Sequence, residues 1–348
     1  MKTGTFQAVI LLTAFTFLAS GCQNLQQQDA ERGSEAIANS DPLPSWNDGK
    51  SKQAITDFVT RTTTDGNADF IPVLDRIACF DNDGTLWNEY PVYAQFLFSF
   101  DRVRAMAPEH PEWKREQPFK ALLEGDMARV WASSMSDLLK LVAAAQANTT
   151  TTEFEQAVTT WMDTAINPNT GRHYGEMTYQ PMIELLNYLH DNGYKTFIVS
   201  GSGIDFMRPW TEEAYGIPPD QVIGSSYVVK YEIRDGQPVL FRLPEINFVD
   251  DKENKPVGIH QHIGKRPVFT AGNSDGDYAM LQWTSTGPGP RFGMIIHHTD
   301  SIREAAYDSL SSIGHLQKGL NDAAKYNWVI VDMKEDWKEI YPPLQLVR

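Results

Sequence analysis

The stretch FDNDGTL at residues 80–86 decides how the rest of the chain is read. It follows the apolar run RIACF and places Asp81 and Asp83 one residue apart, with Gly84 next. In extended backbone, residues i and i+2 point to the same side, so both carboxylates face one way while Asn82 turns from them. Two carboxylates this close repel unless one takes up a proton or a cation lies between them. A hard cation with oxygen ligands fits, and Mg²⁺ is the common choice where phosphate is the co-ligand. The pair also divides the chemistry: one carboxylate stays ionised and nucleophilic while the other shuttles a proton.

Outward from this stretch, other short apolar runs end in polar, turn-rich loops. They are KTFIV before SGSG, RPVFT before AGNSDGD, FGMII before HHTD and NWVIV before DMKED. Helical patterns such as PMIELLNYLHDNG (181–193) separate most of them. Buried strands alternating with helices imply an α/β fold, a Rossmann-like parallel sheet covered on both faces. Ligands in such sheets gather outside the carboxyl ends of the strands, where the polar loops lie. Residues 88–178 are too long for one crossover helix and contain helix-like stretches such as YAQFLFSFDRVRAMA, MSDLLKLVAAAQA and TEFEQAVTTWMDTAI, so an inserted helical cap is expected. Residues 226–243 read as a hairpin turning at Asp235-Gly236. SKQAITDFVTRTT, from Ser51, reads as a helix with Ser51 as its cap.

The loops after the second and third runs carry their own chemistry. In VSGSG, a hydroxyl and small residues where a strand ends and a helix opens would let Ser200 and the Gly201 amide grip phosphate oxygens. AGNSDGDYAML adds oxygen ligands at a third strand end. Upstream, Lys255 in DDKENKPVGI stands at the start of a helical segment and could reach in as a fixed positive charge; Lys252 is the rival. Trp87, Glu89 and Tyr90 either line the substrate entrance or pack. His297 and His298 are adjacent at a strand end, so they point to opposite faces and one of them could approach the crevice. His260 and His262 share no helix face.

Taken in order, Asp-x-Asp, Ser, Lys and the acidic loop resemble the haloacid dehalogenase-like (HAD) superfamily over roughly residues 75–300. The cap and the hairpin resemble its phosphoserine phosphatase-like branch. The resemblance implies a Mg²⁺-dependent phosphatase in which Asp81 attacks phosphorus, forming an aspartyl-phosphate. Asp83 would protonate the leaving alcohol and then activate water. Ser200, Gly201 and Lys255 would hold the phosphate, and the metal would lie against Asp81, the Asp83 carbonyl, Asn273 and Asp277. One departure stands out: the family's usual metal-binding aspartate after the fourth-motif glycine is Asn273 here, and Asp275 is a substitute if the loop bends differently. Asp83 separates phosphate chemistry from carbon–halogen cleavage, because dehalogenase members lack that acid. The competing expectation is a catalytically weak or inactive surface protein that binds a phosphorylated ligand or partner.

The formal charge of −15 argues against nucleic acid as a partner and leaves a small phosphorylated metabolite as the expected one. At the start, FQAVILLTAFTFLA follows a single charge, Lys2, and precedes SGC, matching a signal-peptide core too short to span a bilayer comfortably. LASGC resembles the lipobox of bacterial lipoproteins, which implies lipidation of Cys22 and a protein held on the cell envelope through its lipid; Gln23 favours an outer membrane facing the periplasm. Cys79 would then be the one thiol left, a small core residue. The expected organisation is a signal peptide at 1–21, a Gln-rich tether at 22–45, an α/β core at 46–87 and 179–348, and the cap at 88–178.

Overall fold

In the computed structural model, residues 41–344 are described, and all but Asp41 and Pro42 of these belong to a compact unit that begins at Leu43. The signal peptide, Cys22 and nearly all of the tether lie outside the described residues.

The expected runs are strands, and they lie in one sheet. β1 (Ile77–Phe80), β3 (Lys195–Gly203), β4 (Val222–Arg234), β6 (Phe269–Gly272), β7 (Phe292–His297) and β8 (Val329–Asp332) pair in parallel, while β2 (Thr149–Thr150) and β5 (Gln237–Phe248) extend one edge antiparallel. The order is β2-β5-β4-β3-β1-β6-β7-β8, so the strands ending in the three motif loops, β3, β1 and β6, are neighbours. That adjacency brings residues about 190 positions apart to one rim.

β1 is buried along its whole length and serves two cores by alternation. Ala78 and Phe80 join the larger core with Phe58, Leu185 and Phe269, whereas Ile77 and Cys79 pack with Phe197, Val199, Ile259 and Met280. Both faces are therefore apolar, as a central parallel strand requires. Cys79 is free and fully buried.

The first helix among the described residues, α1 (Lys50–Thr63), corrects its expected start. Its cap position is Gly49, and the Ser51 hydroxyl donates instead to Asp336 (2.8 Å), tying the helix to the chain's far end. Between β1 and β3 come α2 (Ala94–Met106), α3 (Phe119–Leu123), α4 (Met127–Trp131), α5 (Met135–Gln146), β2 and α6 (Thr151–Thr164). Phe100, Val103, Trp113, Leu122, Val130 and Leu141 form a separate small core there. Phe154, Val158 and Trp161 of α6 instead join the main core. A reciprocal capping box starts α6: the Thr150 hydroxyl receives the Glu153 N–H and Glu153 receives the Thr150 N–H.

The hairpin turns where expected, with Asp235 (φ 49°) and Gly236 (φ 75°) both left-handed. Its arms are longer than the sequence suggested. β4 begins at Val222, pairs in parallel with β3 over its first residues, and only then turns outward with β5. The hairpin thus grows out of the main sheet, and Thr149–Thr150 joins it to the inserted helices.

Candidate active site

The chain folds tightly around Asn82. Its carbonyl accepts from the N–H groups of Thr85 (3.1 Å), Leu86 (2.8 Å) and Trp87 (3.0 Å), and its side-chain oxygen accepts from the Tyr215 hydroxyl (3.0 Å). Gly84 sits at φ 77°, and a Cβ there would collide with Asn273 Nδ2 and Glu89 Oε1, so only glycine fits. This turn leaves Asp81 and Asp83 on the crevice side, both buried.

Around these two acids the three loops close in. Lys255, the second residue of the helix Asn254–His262, is buried and donates to Asp81 Oδ1 (2.8 Å), Asp277 Oδ1 (2.6 Å) and the Val199 carbonyl (2.9 Å). Lys252, the rival, is exposed on a left-handed turn. Ser202 donates to Asp83 Oδ2 at 2.7 Å and Ser200 to the same oxygen at 3.4 Å. Gly201 lies between them and lines the crevice.

VSGSG departs from its expected shape. β3 stays extended through Gly203, with an irregularity in its pairing to β4 between Ser200 and Gly203, and only a single helical turn, Ile204–Met207, follows. The serines therefore face the crevice by strand alternation, not at the mouth of a long helix.

In the fourth motif the three candidate ligands, Asn273, Asp275 and Asp277, part company. Asp275 accepts from the N–H groups of Gln317 (3.2 Å), Lys318 (3.0 Å) and Gly319 (2.8 Å), capping the helix Lys318–Tyr326. Asp277 gives one oxygen to Lys255 and the other to the N–H groups of Asn273 (2.9 Å) and Ser274 (3.0 Å). Both of its oxygens thus hold protein donors. Asn273 is buried against the nucleophile loop: Thr85 donates to its Oδ1 (3.2 Å), and its Nδ2 donates to Glu89 Oε1 (2.6 Å).

Glu89 is a residue whose role the sequence left open. It is 2% exposed, accepts from the Tyr307 hydroxyl (2.8 Å) and lines the crevice with Asp81 and Asp83. Its two companions take other parts. Trp87 packs in the core and donates to the Tyr174 carbonyl (2.7 Å), while Tyr90 is 43% exposed and stacks on Tyr307. His298 turns inward, its Nε2 2.8 Å from the Gly84 carbonyl and its Nδ1 3.2 Å from Glu304, stacked on Tyr307. His297 lies near Asp308 instead.

Four buried carboxylates, Asp81, Asp83, Glu89 and Asp277, therefore face one ammonium. Burial, reinforced by Asp277, pushes Asp81 up to about 8 against the opposing pull of Lys255. Burial also raises Asp83, with Ser202 opposing it, and raises Glu89 well above the usual range, with Tyr307 opposing it. Burial alone would lower Lys255, but Asp277 and Asp81 outweigh it and keep the ammonium charged. The acids outnumber their counter-charge, a condition relieved by protons or by a cation.

The crevice is a cavity of about 310 Å³. The loops that carry Asp81, Ser200 and Ser274 line it. Leu139, Val142 and Gln146, on one face of α5, stand along one wall, and Tyr227, Ile246 and Val249 of the hairpin region along another.

The chain belongs to the haloacid dehalogenase-like hydrolases, whose family model matches residues 78–282. No curated protein matches it. Among solved structures, a Bordetella pertussis Tohama I protein of unknown function is 15% identical (TM-score 0.47), with 74% of this chain and 98% of that one covered. A functionally unknown protein from Anaerococcus prevotii DSM 20548 is 17% identical (TM-score 0.49; 75% and 89% covered). A phosphoserine phosphohydrolase-like protein from Francisella tularensis is 15% identical (TM-score 0.35; 72% and 98% covered). These likenesses are too distant to bear on activity.

Proposed function

We propose that this hydrolase is a phosphoric monoester hydrolase working through an aspartyl-phosphate on Asp81. The observation that carries the reading is Asp81 held against Lys255, with Asp83 beside it under two serine hydroxyls in one buried pocket. Asp81 attacks phosphorus as the ester P–O bond breaks. Asp83, held beside the pocket by the Ser202 hydroxyl at 2.7 Å, acts as the general acid and gives its proton to the departing alkoxide. Asp83 then takes a proton from the water that cleaves the acyl-phosphate, releasing phosphate and restoring Asp81. Ser200, Ser202, the Gly201 amide and Lys255 neutralise the phosphoryl oxygens, the larger part of the work in this reaction class.

A divalent cation fits these residues. Asp83 Oδ1 is buried without a hydrogen-bond partner, and the acids exceed their counter-charge. Among the described residues no three His, Cys, Asp or Glu side chains are arranged to hold a metal, so the shell would draw on Asp81, the Asp83 main-chain carbonyl and the Asn273 amide oxygen. Mg²⁺ bound there would supply charge neutralisation at the transferring phosphoryl group. Asp277 acts through Lys255. Glu89, hydrogen-bonded to Asn273, places a carboxyl group where asparagine lacks one, and a cation bound beside it would favour its ionised form. The competing reading, a binding protein with little or no activity, rests on Asn273, and turnover by the native protein separates the two.

The test is hydrolysis of p-nitrophenyl phosphate with Mg²⁺, with EDTA, and by Asp81→Asn. Turnover that falls by roughly 10⁴-fold or more in the variant, and is lost with EDTA, is expected. Turnover that survives Asp81→Asn would rule the reading out.

A further inference from the structure

The walls of the cavity say what the phosphate is attached to. Apart from the motif loops, they carry the apolar side chains of Phe96, Leu139, Val142, Ile246 and Val249, with Tyr93, Gln95, Ser225, Ser226 and Tyr227 among them. Leu139, Ile246 and Val249 are more than 40% exposed, an apolar rim at the sheet edge. Among the described residues lining the cavity, Lys255 is the one cation, and its single charge is committed to Asp81, Asp277 and the transferring phosphoryl group. A leaving group with a second phosphate or carboxylate would find no counter-charge here and would meet Glu89 and Asp251 instead.

One polar group stands out in this wall. Gln146, at the end of α5, is 1% exposed, and its Nε2 is buried without a partner. The orientation of its amide is fixed. Arg242 donates Nη2 to Gln146 Oε1 (2.9 Å) and Nε to the Gln146 carbonyl (3.0 Å), and arginine can only donate. The oxygen must face Arg242, so the NH₂ points elsewhere. Arg242 is itself buried, paired with Asp205, and lies over the Phe154 ring. Its charge is directed at the amide and at Asp205, and it does not line the cavity. An orphaned buried donor costs free energy until a ligand oxygen satisfies it.

We infer that the leaving alcohol carries no anionic group, with an apolar body that lies along the α5 and hairpin walls and an acceptor oxygen that receives Gln146 Nε2. The inference rests on the phosphatase reading for the phosphate end only. Gln146 is a specificity residue in this scheme, and Arg242 positions it.

Binding separates the two claims. With Asp81→Asn protein and Mg²⁺, calorimetry compares para-acetylphenyl phosphate, phenyl phosphate, phosphocholine, O-phosphoserine and a sugar bisphosphate. The acetylated ester is expected to bind tightest, at least tenfold ahead of the doubly anionic esters. Gln146→Glu keeps an acceptor for Arg242 and removes the donor, so the preference for the acetylated over the plain phenyl ester should fall about tenfold. Should that variant not fold, Leu139→Arg is the second arm: a cation on the exposed rim is expected to raise affinity for the bisphosphate severalfold. Tightest binding by phosphoserine, phosphocholine or the bisphosphate overturns the inference, as does an acetyl preference unchanged in Gln146→Glu. If the ranking holds while native protein turns over none of these esters, the phosphatase reading fails and the pocket assignment stands.

Discussion

Glu89 and Asn273 are expected to behave as one unit, and exchanging their charges tests this. Glu89 Oε1 lies 2.6 Å from Asn273 Nδ2, and both residues are buried. Asn273→Asp alone would set a second carboxylate against Glu89. With both ionised and relaxed to ~4 Å, at an effective dielectric constant of ~20, such a pair repels by about 4 kcal/mol, a cost limited by the uptake of a proton. Glu89→Gln alone removes a hydrogen bond to a charged group, worth about 1.5–3 kcal/mol, and the negative charge beside the proposed cation site. Combined, the substitutions restore one carboxylate and one amide with their places exchanged. Urea unfolding in EDTA is expected to show Asn273→Asp destabilised by several kcal/mol and the double variant close to native, a coupling of at least about 2 kcal/mol. Mn²⁺ titration calorimetry should show Glu89→Gln binding at least about tenfold more weakly, with the double variant recovering most of the loss. A double variant as impaired as the sum of the singles, with coupling below about 0.5 kcal/mol, would refute the shared-charge argument.

Other outcomes follow from buried and terminal groups. Asp250 is fully buried with neither carboxylate oxygen partnered, and burial raises its pKa to about 7. The folded state then holds a proton that the unfolded state releases, so this group's contribution to stability is full below pH ~4 and is lost as pH rises to ~7, about 4 kcal/mol in all. Urea titrations across that range should show a shallower decline in Asp250→Asn; an identical slope would contradict the assignment. Cys22 is expected to carry lipid, so metabolic labelling with an alkynyl fatty acid should mark the native chain and not Cys22→Ser, and equal labelling of both would exclude that anchor.

Much of the site was legible because its parts are local. Asp81 and Asp83 share a side through strand alternation, and Lys255 opens a helix just after a turn. The same alternation, applied to SGSG, would have selected Ser202 along with Ser200; the serine lies two residues on and reaches Asp83 at 2.7 Å. Glu89 stood in view nine residues after Phe80, but nothing local separates a packing residue from one hydrogen-bonded to a loop 184 positions away. Asp275 shows the converse. Its spacing resembled a ligand, yet the helix start at Lys318 claimed both oxygens. Gln146 with Arg242, and His298 with Gly84, depend on how the insertion, hairpin and β7 meet, which no sequence window contains.

The central claim is that phosphorus passes through Asp81. Rapid acid quench of Asp83→Asn protein mixed with p-nitrophenyl phosphate and Mg²⁺, followed by peptide mass spectrometry, tests it most directly, because slowed hydrolysis lets the intermediate accumulate. One phosphoryl group on Asp81 is the expected result. A phosphoryl group on Ser200 or Ser202, or substrate turnover with none on any peptide, would contradict it.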